Sequence, residues 1–223
     1  MTDQQQRLTT TEVLEAGLED WRQVLRRLKA RYCTGDYATG VALVAAIGEQ
    51  AVLAGKVADV SLTAADVVVA LSTAAVQGIT RSDVELARLV SARAADLGVR
   101  ADVSGLTQVE LGLDTPLEEH LAPYYAALLA SDVVDGEPVD PSGQVPTLWW
   151  QAPGDRGGSP LPAQQPEQRW HLDVWVPYDD VERRLQAVLD AGGRLVSDAQ
   201  APSYWVVEDE DGNRSCLCTP SGR

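Results

Sequence analysis

A chain of 223 residues is roughly the length of two small domains, and a hydrophobic share of 45% lets each half bury a core. The net charge of −15, from 33 acidic against 18 basic residues, repels phosphate backbones, whose binding rests on Lys and Arg, so nucleic acid is excluded as a partner. No run approaches the roughly 18 apolar residues of a membrane span, and Met1 to Arg7 is polar and Gln-rich, so the expectation is a cytoplasmic protein without a membrane partner.

Arg outnumbers Lys 16 to 2, a usage typical of GC-rich bacterial genomes that says nothing about chemistry. Cys33, Cys216 and Cys218 are an odd number without spaced pairs, which argues against a secreted disulfide framework. Cys216 and Cys218 lie two apart on an expected strand and share a face, where a mutual disulfide would be strained.

In the first half, Thr9 with Glu12 fits a capping box. Val13, Leu14, Leu18, Trp21, Leu25 and Leu28 recur at three- and four-residue spacing, which predicts one apolar helical face through this stretch. Cys33-Thr34-Gly35-Asp36 reads as a turn into a second helix, 37–53, with Val41, Val44, Ala45 and Ile47 facing inward. Residues 57–62 and 67–72 are β-rich. Thr80-Arg81-Ser82-Asp83 starts a third helix that runs to about Leu97 and closes at Gly98. The expectation is an α+β domain with helices on one face of an antiparallel sheet.

From Leu8 to Leu97 this half resembles the pterin-4a-carbinolamine dehydratases. The strongest local match is the run from Leu71 through Ala74, Gly78-Ile79-Thr80 and Asp83. The family has a histidine where Ala74 stands, and a His-His-Pro triplet where this chain has Lys56-Val57-Ala58 ahead of Asp59-Val60. The resemblance therefore implies the fold without the family's three histidines. Eliminating water from a carbinolamine needs a proton delivered to the leaving hydroxyl and one removed from the ring nitrogen, for which histidine is suited. Losing one such positioned group costs about 10²–10⁴-fold in rate. Lys56 and Asp59 are the remaining weak catalytic candidates, with Asp83 expected as an early-helix acid and Trp21 as core.

Five of the six tryptophans lie at position 149 or later. Val109–Leu113 alternates as a strand, and a helix is expected from Pro116 through Tyr124, Tyr125 and Leu129. Residues 133–139 and 147–151 read as strands separated by the turn Asp140-Pro141-Ser142-Gly143, and 152–168 as a Pro/Gly/Gln-rich loop. The pattern then repeats: a strand at 169–176, a helix at 179–191, and strands at 194–197, 204–208 and 215–218.

Two successive β-α-β-β-β units suggest an internal repeat around a pocket. Leu148-Trp149-Trp150-Gln151, Trp170-His171-Leu172-Asp173-Val174 and Asp209-Glu210-Asp211-Gly212-Asn213 resemble the glyoxalase-like branch of the vicinal oxygen chelate superfamily, over about residues 107–219. The whole chain resembles fusions of these two domains found in actinobacteria, with expected bounds of 8–99 and 106–220. Metal-dependent members hold a divalent ion on paired strands. Transferring those positions gives Glu110, Gln151, His171 and Cys216, with Cys216 standing where such relatives carry Glu. Only His171 is then a standard ligand, so no cofactor is expected and a divalent metal is the alternative.

Strand alternation puts His171, Asp173 and Trp175 on one face. With Trp149, Gln151 and Trp205 they form the expected ligand-binding set, suited to a flat organic ligand. The leading expectation is a small-molecule-binding protein, assembled as a homodimer, with a degenerate first domain. An active lyase of the dehydratase or glyoxalase type is the first alternative, and a protein-interaction module the second.

Overall fold

The computed structural model describes residues 6–117, 121–123, 125–126, 129, 131–143, 145–152, 162, 168–209, 212 and 214–222. The chain divides into two compact units, Met1–Thr107 and Gln108–Arg223.

In the first unit a short helix α1 (Thr10–Glu15) opens on the capping box: Thr9 Oγ1 accepts from Glu12 N at 3.3 Å, and Glu12 Oε2 accepts from Thr9 N at 2.8 Å. These bonds hold the Glu12 carboxyl below its usual range, the backbone bond foremost. The expected long apolar helix does not continue. Gly17 takes φ 64, a conformation that ends α1, and the following residues form a hairpin of β1 (Arg22–Val24) and β2 (Arg27–Cys33). Leu25, at φ 55, sits in its turn. The seven-residue spacing of Trp21 and Leu28 imitates a helix because both point into one core from either side of that turn. Within β2 the true period is two, with Leu28, Ala30 and Tyr32 buried in alternation.

Helix α2 (Tyr37–Leu53) starts at Asp36, whose side chain caps Thr39 N at 2.9 Å. Its buried stripe is Gly40, Leu43, Ile47, Gln50 and Ala51; of the expected set Ile47 is buried and Val44 packs against the core, whereas Val41 and Ala45 are exposed. Strands β3 (Asp59–Leu62) and β4 (Asp66–Leu71) follow, then α3 (Arg81–Asp96), capped by Thr80 with Asp83 and closed at Gly98, φ 69. The sheet order is β1-β2-β4-β3, with β5 (Arg100–Ala101) also paired to β2. Leu43, Ile47 and Ala51 of α2 and Val84, Ala87, Val90 and Ala94 of α3 pack on Leu28, Ala30, Tyr32, Val67, Val69 and Leu71 of the sheet. Helices therefore cover an antiparallel sheet.

The second unit is the doubled module. Strand β6 (Gln108–Asp114) is followed by β7 (Asp132–Val134), β8 (Glu137–Val139) and β9 (Thr147–Gln151). The single strand expected at 133–139 is instead the β7–β8 hairpin, turned at Asp135 and Gly136, both at positive φ. Of the expected helix before it, residues 118–120, 124, 127–128 and 130 lie outside the described set. The described part carries i→i+4 bonds from Leu121 N to Leu117 O and from Leu129 N to Tyr125 O. Strand β10 (Trp170–Trp175), helix α4 (Val181–Asp190), β11 (Arg194–Gln200), β12 (Tyr204–Glu208) and β13 (Arg214–Cys218) make the second copy. Most of the expected 152–168 loop, with Glu210, Asp211 and Asn213, also lies outside the described residues.

The internal symmetry is visible in the pairing. In each module the first strand pairs parallel with the last, β6 with β9 and β10 with β13, and β6 and β10 join the modules antiparallel. The sheet order is β11-β12-β13-β10-β6-β9. Among the described residues no helix is long and apolar enough to cross a membrane.

Candidate functional site

Strand register decides which side chains of the second unit meet. Asp173 stands opposite Cys216 on one side and Glu110 on the other, while His171 stands opposite Gly112, which in turn faces Trp149. Period-two alternation therefore gathers Glu110, Gly112, Trp149, His171, Asp173, Trp175 and Cys216 on one face. The other face carries Val174, Val176, Leu217 and Trp205, packed beneath Val181, Leu185 and Val188 of α4. Tyr125 adds ring contacts to Trp150 and Trp170, whose centroids lie 5.6 and 5.8 Å away.

The polar face is buried. His171, Asp173, Cys216 and Glu110 have relative exposures of 6%, 5%, 5% and 9%. His171 Nε2 lies 3.5 Å from Asp173 Oδ1, beyond the 2.7–3.2 Å of ordinary N–H···O bonds. Ligand atoms of His171, Asp173 and Cys216 all fall within 4.8 Å of one another. The His171 ring meets Trp149 edge to face, with centroids 5.9 Å apart. Both rings press on the sheet at Gly112: a Cβ there would lie 2.6 Å from His171 Cε1 and Nε2, and 3.2 Å from Trp149 Cε2. Two buried polar atoms of this pair, His171 Nδ1 and Trp149 Nε1, have no hydrogen-bond partner among the described residues. Buried polar atoms are almost always paired, so this is where a ligand's acceptor and donor would be favoured.

The other transferred positions are engaged elsewhere. Glu110 Oε2 accepts from Trp175 Nε1 at 2.8 Å, and Gln151 Nε2 donates to Asp114 Oδ1 at 2.6 Å. Trp205 does not join the set. Its register with Leu217 places it on the α4 face, where it packs in the core. Asp173 entered the sequence reading only as a ligand contact. Its place beside Cys216 needed the register of β10 with β13, which one strand's alternation does not give. The residues present do fit a metal, since zinc accepts histidine nitrogen, carboxylate oxygen and thiolate sulfur together.

In the first unit Lys56 and Asp59 are committed to different partners. Asp59 lies at the exposed start of β3, 2.5 Å from Arg27 Nη1. Lys56 is nearly buried. Its Nζ lies 2.6 Å from Asp83 Oδ1 and donates to Thr73 Oγ1 at 2.5 Å. Asp83, with no exposed surface, also accepts from Thr80 N at 2.8 Å and from the hydroxyls of Thr73 and Thr80 at 2.7 Å each. Its role exceeds the expected dipole effect: it caps α3 and neutralises a buried ammonium in one stroke. Ala74 and Val57 are exposed. Trp21 is core, with Nε1 donating to Ser91 Oγ at 3.0 Å and its ring edge-on to Tyr32. Burial pushes the Tyr32 phenol well above its ordinary range.

Comparison with known proteins follows the same division. Residues 5–93 match the family profile described as pterin 4 alpha carbinolamine dehydratase, and residues 110–218 match that of the glyoxalase-like domain. A Thermosynechococcus vestitus protein named for pterin-4-alpha-carbinolamine dehydratase is 36% identical over 76 residues, which are 34% of this chain and 80% of that one. The crystal structure titled transcriptional coactivator/pterin dehydratase from Brucella melitensis aligns at 26% identity and a TM-score of 0.39. That alignment covers 40% of this chain and 99% of the other.

Proposed function

Because the chain belongs to the pterin-4a-carbinolamine dehydratase family through its first unit, with a glyoxalase-like domain fused behind it, we propose that it is a small-molecule-binding protein whose ligand sits on the polar face of the second unit. One observation carries this reading: the unpartnered Trp149 Nε1 and His171 Nδ1, buried side by side over Gly112. Leaving two such groups desolvated costs about 1–3 kcal/mol each, which a ligand that pairs them would recover. A planar heteroaromatic ligand bearing an acceptor for the indole N–H and a partner for His171 Nδ1 meets both requirements, and the face of one of these perpendicular rings is a surface for it to stack on.

The first unit, in this reading, no longer performs dehydration. Ala74 and Val57 have no proton to move, and the Lys56 ammonium is held by Asp83 and Thr73 rather than presented to a substrate. The protein is cytoplasmic, which three cysteines outside any disulfide suit, and it assembles as a homodimer. Tyr37, Val41, Val52 and Leu53, exposed on the outer side of α2, supply apolar surface for assembly. A single-monomer species in analytical ultracentrifugation would remove the dimer from the account.

The binding test compares affinities for a panel of planar heteroaromatic carboxylates and amides, pterins included, in wild type, Trp149→Phe and Trp205→Phe. Trp149→Phe removes the indole donor and should weaken binding about tenfold, the usual worth of one hydrogen bond at a buried site. Trp205→Phe, on the opposite face, should leave it unchanged. Equal loss in both variants, or in neither, moves the ligand off this face.

A further inference from the structure

The two nitrogens over Gly112 that lack a partner among the described residues differ in kind. The Trp149 indole nitrogen can only donate, whereas His171 Nδ1 donates or accepts according to where the ring proton sits. Its Nε2 lies 3.5 Å from Asp173 Oδ1, and the His171 side chain is only 3% exposed. That separation is long for a hydrogen bond but short for a charge acting on a buried dipole. A proton on Nε2 turns the positive end of the N–H toward the carboxylate, while a proton on Nδ1 would set the Nε2 lone pair against it. Whatever else Asp173 engages, its charge favours the Nε2–H tautomer and leaves Nδ1 an acceptor. Each of the two nitrogens is one bond from an atom that presses on Gly112. Nδ1 is bonded to His171 Cε1, 2.6 Å from where a Cβ would stand, and Nε1 to Trp149 Cε2, 3.2 Å from it. An acceptor and a donor therefore flank one spot on the sheet.

We propose that this face selects a planar cyclic amide, a lactam or ureide whose N–H and C=O lie side by side in one ring. The proposal rests on the ligand-binding reading and names the chemistry of its ligand. The ring carbonyl accepts from Trp149 Nε1 and the ring N–H donates to His171 Nδ1, so both buried atoms are paired. Other polar edges fail on one side. A carboxylate satisfies the indole but sets its second oxygen against the Nδ1 lone pair, and it brings a like charge beside Asp173. An ammonium or amidinium satisfies His171 and leaves the indole N–H facing another donor. A hydrocarbon leaves both nitrogens desolvated and unpaired. Sites built on matched hydrogen bonds reject analogues that lack one partner, because the mismatch stays buried.

The test uses the full chain and probes of one skeleton: isoquinolin-1-one, its N-methyl derivative and isoquinoline-1-carboxylate. Calorimetric titration should show the lactam binding at least about tenfold tighter than the other two, the usual worth of one buried hydrogen bond. In His171→Phe the preference for the N–H form over the N-methyl form should vanish, and in Trp205→Phe it should persist. A readout on the ligand-free wild type guards against a variant that does not fold. The long-range ¹H–¹⁵N spectrum of the two histidine rings, assigned with His120→Gln, should show His171 protonated at Nε2 alone at neutral pH. A proton on His171 Nδ1, equal affinity for the N–H and N-methyl forms, or no binding of the lactam would overturn the proposal. Preference for the carboxylate, with binding still weakened by Trp149→Phe, would remove the amide and leave the ligand reading standing. Probe binding that Trp149→Phe and Trp205→Phe affect equally would sink the ligand reading itself.

Discussion

Adding one methyl group at Gly112 tests the geometry on which the polar face depends. In Gly112→Ala the new Cβ would stand 2.6 Å from two atoms of the His171 ring and 3.2 Å from Trp149, where carbons pack best at about 3.5–4.0 Å. The ring must therefore retreat by roughly 1 Å, yet its side chain is only 3% exposed, leaving it little room. Overpacking of this kind costs about 1–3 kcal/mol, which for a domain of this size lowers the melting temperature by about 4–12 °C. Near-ultraviolet circular dichroism is a suitable assay, because five of the six tryptophans report on the second unit. The displaced imidazole should also weaken binding of the heteroaromatic panel. A variant that melts like wild type would refute the packing argument.

Gly48 is the counterpart: it lies within α2 with nothing within 4 Å of its missing Cβ, so Gly48→Ala should stabilise the first unit by about 0.5–1 kcal/mol in urea titration. Asp83→Ala strands the Lys56 ammonium and removes the cap of α3, and should cost about 3–5 kcal/mol in the same titration. Hydrogen bonds from Arg214 and Arg194 hold the Glu208 carboxyl below its ordinary value. Because its folded pKa is the lower one, its stabilising contribution is complete above the ordinary glutamate value of about 4.3 and is lost as pH falls through the depressed one. Glu208→Gln should flatten that part of the acid-denaturation curve, and an unchanged curve would show that the arginines do not hold it. The purified protein should not accelerate dehydration of a tetrahydropterin 4a-carbinolamine beside a histidine-bearing relative; an acceleration abolished by Lys56→Met would show that the lysine had taken over the proton transfers.

Elements with strong local signals were legible in the sequence. Helices α2 and α3 follow from their caps at Asp36 and Thr80 and the glycine at 98, and β9, β10 and β12 from short aromatic or β-branched runs between turns. The first hairpin was not, because Trp21 and Leu28 reach one core from either side of a turn at a spacing that imitates a helix. His171, Asp173 and Trp175 were placed together by alternation within one strand, whereas Trp205 was misplaced because its face depends on pairing with Leu217. Joining Asp173 to Cys216, or Lys56 to Asp83, likewise requires contacts between segments distant in the chain. The one clue to Lys56 was rarity: a chain with two lysines and sixteen arginines spends one of the two beside a fully buried aspartate.

The most direct test of the ligand-binding account is the ¹H–¹⁵N spectrum of the six indole N–H groups during titration with the heteroaromatic panel. The account predicts that a bound ligand shifts the Trp149 indole strongly downfield, as a new hydrogen bond forms, and leaves Trp21 and Trp205 in place. Shifts confined to Trp21 and to the Thr73–Thr80 backbone, with Trp149 unmoved, would place binding in the first unit and contradict it.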